Sequence, residues 1–321
     1  MLDILFTVIG VVLVLKGADW LTDGSVSLAR RFSISELVIG LTIVAFGTSL
    51  PEFIVSLMAS LEGSAAMGIG NVVGSNLFNT LMIVGVTAAI APIAIQQSTI
   101  RKDIPFSILA SVVFAALALD RYFGSPDGGV SVLDRGDGIA LLGFFGVFMA
   151  YSIGIAKMDD PADADTSSSA RSFPLWKVIL SIVLGLVCLI GGGQFFVQGA
   201  SGIARSLGLS EAVIGLTLVA GGTSLPELAT SVVAARKGQS GIAIGNVIGS
   251  NLFNIFWILG VCATIHPMSV NGITIVDFAM LFMSGVFFWF FAKTQHRILR
   301  WEGVVLVTLY IAYIVWLLGG F

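Results

Sequence analysis

Glu52 and Glu227 each stand directly behind a proline inside an apolar stretch, in the hexapeptides Gly47-Thr48-Ser49-Leu50-Pro51-Glu52 and Gly222-Thr223-Ser224-Leu225-Pro226-Glu227. A carboxylate in such a stretch is costly unless a partner or an ion compensates its charge. The proline alters what surrounds the acid. Its nitrogen carries no proton, so Pro51 and Pro226 cannot donate to the carbonyls of Gly47 and Gly222, and each ring clashes with the preceding turn. Freed backbone oxygens, the hydroxyls of Thr48, Ser49, Thr223 and Ser224, and one carboxylate make a set of hard donors suited to Na+ or Ca2+.

A second pair of segments carries further oxygens. Gly70 to Asn79 (GNVVGSNLFN) recurs as Gly245 to Asn254 (GNVIGSNLFN). Asn71, Ser75 and Asn79 are spaced by four, as are Asn246, Ser250 and Asn254, so each set shares one helix face. Gly70 with Gly74, and Gly245 with Gly249, form small-residue ridges that allow close approach of another helix. That approach would bring Ser75, Asn79, Ser250 and Asn254 toward the glutamates. Asn71, Asn76, Asn246 and Asn251 fit either a site role or capping of the broken helix ends. Single residues also have plainer readings: Glu52 as a cap on the half-helix begun at Pro51, Thr48 and Ser49 bonded to local backbone. Duplication of the acid in one register weighs against capping alone.

The elements that must position these groups are membrane helices. The chain has 321 residues, of which 56% are hydrophobic and 11% charged, against roughly 25% charged in soluble domains. Apolar stretches able to cross a hydrocarbon layer of ~30 Å fall at 4–22, 36–61, 68–91, 104–120, 138–156, 175–198, 211–235, 243–265, 273–292 and 301–319. Ten crossings follow, with those at 36–61 and 211–235, helices 2 and 7, broken at Gly and Pro. The first stretch lacks a basic lead and a small-residue cleavage site, and reads as helix 1 rather than a signal peptide.

Basic residues set the expected orientation. Arg30, Arg31, Arg101, Lys102, Lys157, Arg171, Lys177, Arg236, Lys237, Lys293, Arg297 and Arg300 fall on one side, and only Arg121, Arg135 and Arg205 on the other. The positive-inside rule makes the first side cytoplasmic and puts both termini outside. Residues 157–177, polar and rich in Pro, Ser and Asp, then form a cytoplasmic linker. Its Asp159, Asp160, Asp163 and Asp165 lack the spacing of a calcium-binding loop. The two copies lie 175 residues apart without drift, from Glu36 against Glu211 onward. Residues 1–156 hold five crossings with the first repeat at 36–91, and 178–321 hold five with the second at 211–266. Five is odd, so the halves enter the membrane in opposite senses. Inverted repeats with interrupted helices point to a secondary transporter with a mid-membrane site.

Other polar residues read as structural. Asp19 and Asp23 near the end of helix 1 face Gln194 and Gln198 in the repeat, so their charge is not duplicated. Glu36 and Glu211 follow Ser35 and Ser210 as capped first turns. Asp103, Asp277 and Glu302 sit at helix ends, where water is expected to reach them. Trp20, Trp176, Trp289, Trp301 and Trp316 read as interfacial anchors. Cys188 and Cys262, with His266 and His296, suggest neither a disulfide nor a zinc site.

The duplicated GTSLPE and GNxxGSNxxN motifs resemble the alpha repeats of the cation/calcium exchanger superfamily, in its prokaryotic sodium/calcium exchanger type. The resemblance implies an all-α polytopic membrane protein of ten helices in two inverted five-helix repeats. It further implies Ca2+ bound by Glu52 and Glu227 with the Thr48 and Thr223 carbonyls. Sodium would use Ala45, Ser49, Ala220 and Ser224 around the same glutamates, and a further site would involve Ser75, Asn79, Ser250 and Asn254. Some relatives carry Asp at position 254 and are potassium-dependent, so Asn254 favours a potassium-independent exchanger.

The expected function is electrogenic Na+/Ca2+ antiport across the cell membrane. A H+/Ca2+ exchanger on the same glutamates is the nearest alternative, although that branch usually shows GNxxE where this chain has GTSLPE. A cation channel is a third reading, and an enzyme is not expected. Ca2+, Na+ and the lipid bilayer are the expected partners, with no cofactor, no nucleic acid and a monomeric chain.

Overall fold

The structure is a computed structural model that describes residues 2–119, 131–156, 174–207 and 220–319. In chain order the helices are α1 (Leu2–Phe32), α2 (Glu36–Ile39), α3 (Ala45–Thr48), α4 (Leu50–Leu61), α5 (Ala65–Leu77), α6 (Val84–Ile90), α7 (Ile104–Ala118) and α8 (Arg135–Ala156). They continue as α9 (Leu175–Ser206), α10 (Ala220–Thr223), α11 (Leu225–Arg236), α12 (Ser240–Leu252), α13 (Leu259–Ile265), α14 (Ile275–Gln295) and α15 (Arg300–Leu318). Among the described residues four two-residue strands interpose: β1 (Ile93–Ala94), β2 (Val132–Leu133), β3 (Met268–Ser269) and β4 (Arg297–Ile298). Among the described residues four π-helical stretches occur, at Gly40–Val44, Phe78–Ile83, Thr99–Asp103 and Phe253–Ile258.

Among the described residues seven helical stretches are long and apolar enough to cross a membrane: Leu2–Phe32, Ala65–Ile90, Arg135–Ala156, Leu175–Ser206, Ser240–Ile265, Ile275–Gln295 and Arg300–Leu318. The pair Glu36–Thr48 and Leu50–Leu61, bent by 47°, makes an eighth if counted as one span. Of the other two expected crossings, 104–120 coincides with α7, which Thr99–Asp103 precedes and which is not among these spans. The other, 211–235, begins outside the described residues, as do Glu211 and nearly all of the 157–177 linker.

The chain forms two compact units that do not follow its linear order. The first comprises residues 1–48 and 148–249, the second 49–147 and 250–321, so each draws on both sequence halves.

In the first unit the principal contact is between α1 and α9. Gly10, Gly17 and Gly24 recur every seven residues on a buried face of α1, and Gly185, Gly192 and Gly199 do the same on α9. A Cβ on Gly10 would lie 2.8 Å from the Gly192 carbonyl oxygen, and one on Gly17 would lie 2.7 Å from that of Gly185. Descending partners along an ascending helix mean the two run antiparallel with their backbones touching. All six glycines obey the 175-residue offset, so this pair is itself part of the repeat. The segment 36–48 packs on α12 in the same manner: a Cβ on Gly245 would meet the Leu37 oxygen at 2.5 Å, and one on Gly249 the Leu41 oxygen at 2.5 Å. Gly70 and Gly74 have no such backbone neighbour among the described residues.

Lys237 at the end of α11 reaches α1, with Nζ 2.8 Å from Asp23 Oδ1 and 3.1 Å from Asp19 Oδ1. Partial burial disfavours its charge, but hydrogen bonds to Asp23 and Asp19 outweigh this and raise its pKa above 10.5. A raised lysine pKa stabilises the fold fully below the unfolded value and ceases to do so as pH climbs past the folded one. Lys237→Met should therefore cost less than about 1 kcal/mol at neutral pH. In thermal melts that difference should hold up to pH 10.5 and fade as pH rises from there through the raised folded value.

In the second unit the two halves of the sequence interleave. β1 pairs antiparallel with β4, and β2 with β3. Gly85 of α6 packs on Gly303 of α15, and Gly138 of α8 on Gly260 of α13; the hypothetical Cβ atoms fall within 2.9 Å of the partner's backbone oxygen on Gly85 and on Gly138. Phe144 stacks on Phe256 and Phe145 meets Phe253 edge-on, with centroids 5.5 and 5.0 Å apart.

Three acids expected to be wet are buried instead. Asp103 is 2%, Asp277 5% and Glu302 1% exposed. Asp277 Oδ2 accepts from the amide and hydroxyl of Thr274, closing a capping box, while Oδ1 accepts from the Tyr313 hydroxyl at 2.6 Å. Glu302 accepts from the Leu299 amide at 2.7 Å and the Thr294 hydroxyl at 3.2 Å. Both carboxylates thus satisfy the orphan donors of a helix start. Ser35 caps α2 as expected, its Oγ accepting from the Val38 amide. Trp289 donates Nε1 to the Ile100 carbonyl at 2.9 Å, an internal tie in addition to any interfacial role.

Candidate functional site

The proline breaks fall where the motifs place them. In the second unit the helix is interrupted at Ser49, Pro51 occupies the first turn of α4, and Phe53 donates to the Ser49 carbonyl. Glu52 lies in that first turn and is 1% exposed. In the first unit Ser224 interrupts the helix in the same way, Leu228 donates to its carbonyl, and Glu227 is 1% exposed in the first turn of α11. A carboxylate there meets the positive end of the half-helix.

Each glutamate is held through its own backbone by an asparagine. Asn71 Nδ2 donates to the Glu52 carbonyl at 3.2 Å and to Ser56 Oγ at 3.0 Å, and Ser56 donates to the Gly68 carbonyl. Asn246 Nδ2 donates to the Glu227 carbonyl at 3.2 Å and to Ser231 Oγ at 3.1 Å, and Ser231 donates to the Ala243 carbonyl. The same three-residue clamp is thus built once in each unit. It fixes the turn that carries the acid and leaves the carboxylate itself out of the clamp. Asn71 and Asn246 are therefore positioning residues, which the sequence left undecided. Thr48, in the first unit, has its hydroxyl 3.1 Å from both the Val44 carbonyl and Asn246 Oδ1, so that hydroxyl supports the helix and the clamp.

A group of asparagines lies in the second unit, where α5 with Phe78–Ile83 meets residues 250–258. Asn76 Nδ2 donates to the Asn251 carbonyl at 3.3 Å, and Asn254 Nδ2 donates to Asn76 Oδ1 at 3.0 Å. Asn79 Nδ2 donates to Asn251 Oδ1 at 3.2 Å, and Asn251 Nδ2 donates to Thr80 Oγ1 at 2.8 Å. Asn76 and Asn251 are thus interhelical ties. Oδ1 of Asn79, Oδ1 of Asn254 and Oγ of Ser250 are buried without a hydrogen-bond partner in the described structure. Buried acceptors of this kind call for a donor, a water or a cation.

The predicted site residues divide evenly by unit. Ala45, Thr48, Ala220, Thr223, Ser224 and Glu227 belong to the first; Ser49, Glu52, Ser75, Asn79, Ser250 and Asn254 to the second. Ala45, Thr48, Ser49, Ser75, Asn79, Ser224, Ser250 and Asn254 are all buried, and Thr223 is half-buried. Within the second unit α4, which carries Glu52, packs on the Asn254 stretch. Sequence reasoning missed the π-helical turns Phe78–Ile83 and Phe253–Ile258, which start at residues related by the same offset of 175. Such turns are frequent at functional sites, and these two carry Asn79 and Asn254. It also missed Thr80, whose signal was a break in the repeat: the equivalent residue is Ile255.

The profile of the sodium/calcium exchanger protein family matches residues 2–154 and 177–319. The sodium/calcium exchanger MaX1 of Methanosarcina acetivorans is 33% identical, over 98% of this chain and 97% of its own. The inner membrane protein YrbG of Escherichia coli is 33% identical, over 88% and 86%. The solved structure of the sodium-calcium exchanger NCX_Mj, soaked with Na+ and Ca2+, superposes with a TM-score of 0.82 at 32% identity and covers 98% of both chains. A multi-pass membrane transporter of cations, rather than an enzyme, is what these likenesses share with the spans and buried acids above. The chain belongs to the sodium/calcium exchanger protein family.

Proposed function

We propose that the chain exchanges Na+ for Ca2+ across the cell membrane by alternating access, both ions competing for oxygens around Glu52 and Glu227. The observation that carries this reading is the duplicated half-site: a buried glutamate in the first turn after a proline, its backbone clamped by an Asn–Ser pair. Two carboxylates balance one Ca2+ or two Na+. Without an ion, paired charges in a dry gate are unfavourable, so occupied states reorient and empty ones do not. That rule makes the transport an exchange. A third Na+ on the neutral oxygens of Ser75, Asn79, Ser250 and Asn254 would leave net charge moving in each cycle. With an amide rather than an acid at position 254, the exchange is independent of potassium.

The same reading has ten crossings in two inverted five-helix halves, both termini outside, and residues 157–177 on the cytoplasmic side. Thr48, Thr223, Ala45, Ala220, Ser49 and Ser224 would contribute oxygens beside the glutamates.

Equilibrium binding of 45Ca2+ to the purified protein in detergent tests the shared site. Na+ is expected to displace Ca2+ steeply, with K+ at equal ionic strength without effect. Calcium binding indifferent to Na+ but released by mild acid would sink the sodium reading in favour of proton exchange.

A further inference from the structure

We propose that Thr80, Asn251 and Asn76 are positioning residues that set Oδ1 of Asn79 and Asn254 as cation acceptors, through two amide relays rooted differently. The proposal rests on the reading of Asn79 and Asn254 as ion ligands. An asparagine amide offers two donors on one side and an acceptor on the other, and its orientation is set by its partners. In one relay the Asn251 backbone carbonyl accepts from Asn76 Nδ2, and Asn76 Oδ1 accepts from Asn254 Nδ2. A carbonyl can only accept, so Asn76 must present its nitrogen there and its oxygen to Asn254. Asn254 must then present its nitrogen inward, leaving Oδ1 as the buried acceptor without a partner.

The other relay begins at a hydroxyl. Thr80 Oγ1 accepts from Asn251 Nδ2, Asn251 Oδ1 accepts from Asn79 Nδ2, and Asn79 Oδ1 is left buried without a partner. A hydroxyl both accepts and donates. If Thr80 donated instead, Asn251 and Asn79 would each turn over, and Asn79 would offer an N–H where a cation needs an oxygen. The first relay is locked by the backbone. The second is rooted at Thr80, whose acceptance of the Asn251 amide goes with the ion-accepting sense, at the one position of this network where the repeat is broken, by Ile255. All of these groups lie in one unit, and Asn76, Asn79, Thr80, Asn251 and Asn254 are each at most 6% exposed.

The test is 45Ca2+ binding and its displacement by Na+ on the full-length purified protein, for Thr80→Val, Thr80→Ser, Asn79→Ala, Asn254→Ala and the double variants of Thr80→Val with each alanine change. Valine keeps the shape of threonine and resembles the Ile255 that the other copy tolerates, so the fold should survive; thermal melts check this. Thr80→Val is expected to weaken ion binding about three- to tenfold, the worth of one buried hydrogen bond. In the Asn79→Ala background it should add nothing, because the relay ends there. In the Asn254→Ala background its effect should persist in full. Thr80→Ser, which retains the hydroxyl, should restore binding toward wild type. Losses that add in the Thr80→Val/Asn79→Ala protein, or an unchanged affinity in Thr80→Val alone, overturn the relay while leaving the ligand reading intact. Unchanged binding in both Asn79→Ala and Asn254→Ala would overturn the ligand reading and the relay with it.

Discussion

Glu52→Gln and Glu227→Gln are each expected to lower sodium-driven Ca2+ transport by about a hundredfold or more while leaving the protein folded. Both side chains are 1% exposed in the first turn of a half-helix. Glutamine matches glutamate in size, and the Asn71 and Asn246 clamps grip backbone carbonyls rather than the carboxylates. The turn therefore survives the change, and thermal midpoints should stay close to wild type. On the proposed shared site, what is lost is half of the negative charge facing the ion. Removing one partner of a buried carboxylate–cation contact typically costs about 3–5 kcal/mol, and each 1.4 kcal/mol is about a factor of ten. Initial rates of 45Ca2+ uptake by proteoliposomes, normalised to folded protein, provide the measurement. Exchange within a few-fold of wild type in either variant would refute a site built on both acids.

The second large effect is on assembly. Gly17→Leu is expected to prevent accumulation of folded protein or to lower its thermal midpoint sharply. The first added carbon would stand 2.7 Å from the Gly185 oxygen and 2.8 Å from the Leu189 nitrogen. Both are backbone atoms of α9, so relief requires the two long helices to part. Overpacking of this kind costs about 1–3 kcal/mol even where neighbours can yield, and here they cannot. Gly191→Leu is the control: it lies on the same helix α9, where an added Cβ meets nothing within 4 Å. Thermal unfolding and size-exclusion profiles in detergent would separate the two. A normal midpoint for Gly17→Leu would contradict backbone contact between α1 and α9.

Much of this was legible because the chemistry was duplicated. A proline followed by an acid in an apolar stretch has a local physical meaning, so the helix breaks and the burial of Glu52 and Glu227 could be anticipated from letters alone. The partners of the asparagines could not. Whether Asn76 bonds to a site or to another helix depends on which segment 175 residues away crosses it, a tertiary fact without a local signature. The π-helical turns at Phe78 and Phe253 likewise have no signature in the local sequence. The glycines at 10, 17, 24, 185, 192 and 199 were readable, being in the repeat and spaced by seven, but the apolar bulk of α1 and α9 masked them. Asp277 and Glu302 were misjudged because a helix end was equated with water. In the structure those ends are buried, and the acids close capping boxes in place of solvent.

The central claim is coupling of Ca2+ movement to Na+. Purified protein in liposomes loaded with Na+ and diluted into sodium-free medium containing 45Ca2+ tests it most directly, with the same experiment repeated under an imposed proton gradient alone. Calcium accumulation that requires the sodium gradient, ignores the proton gradient and is unaffected by K+ is the predicted result. Accumulation driven by the proton gradient without sodium, or Ca2+ movement with no counter-ion at all, would contradict the account.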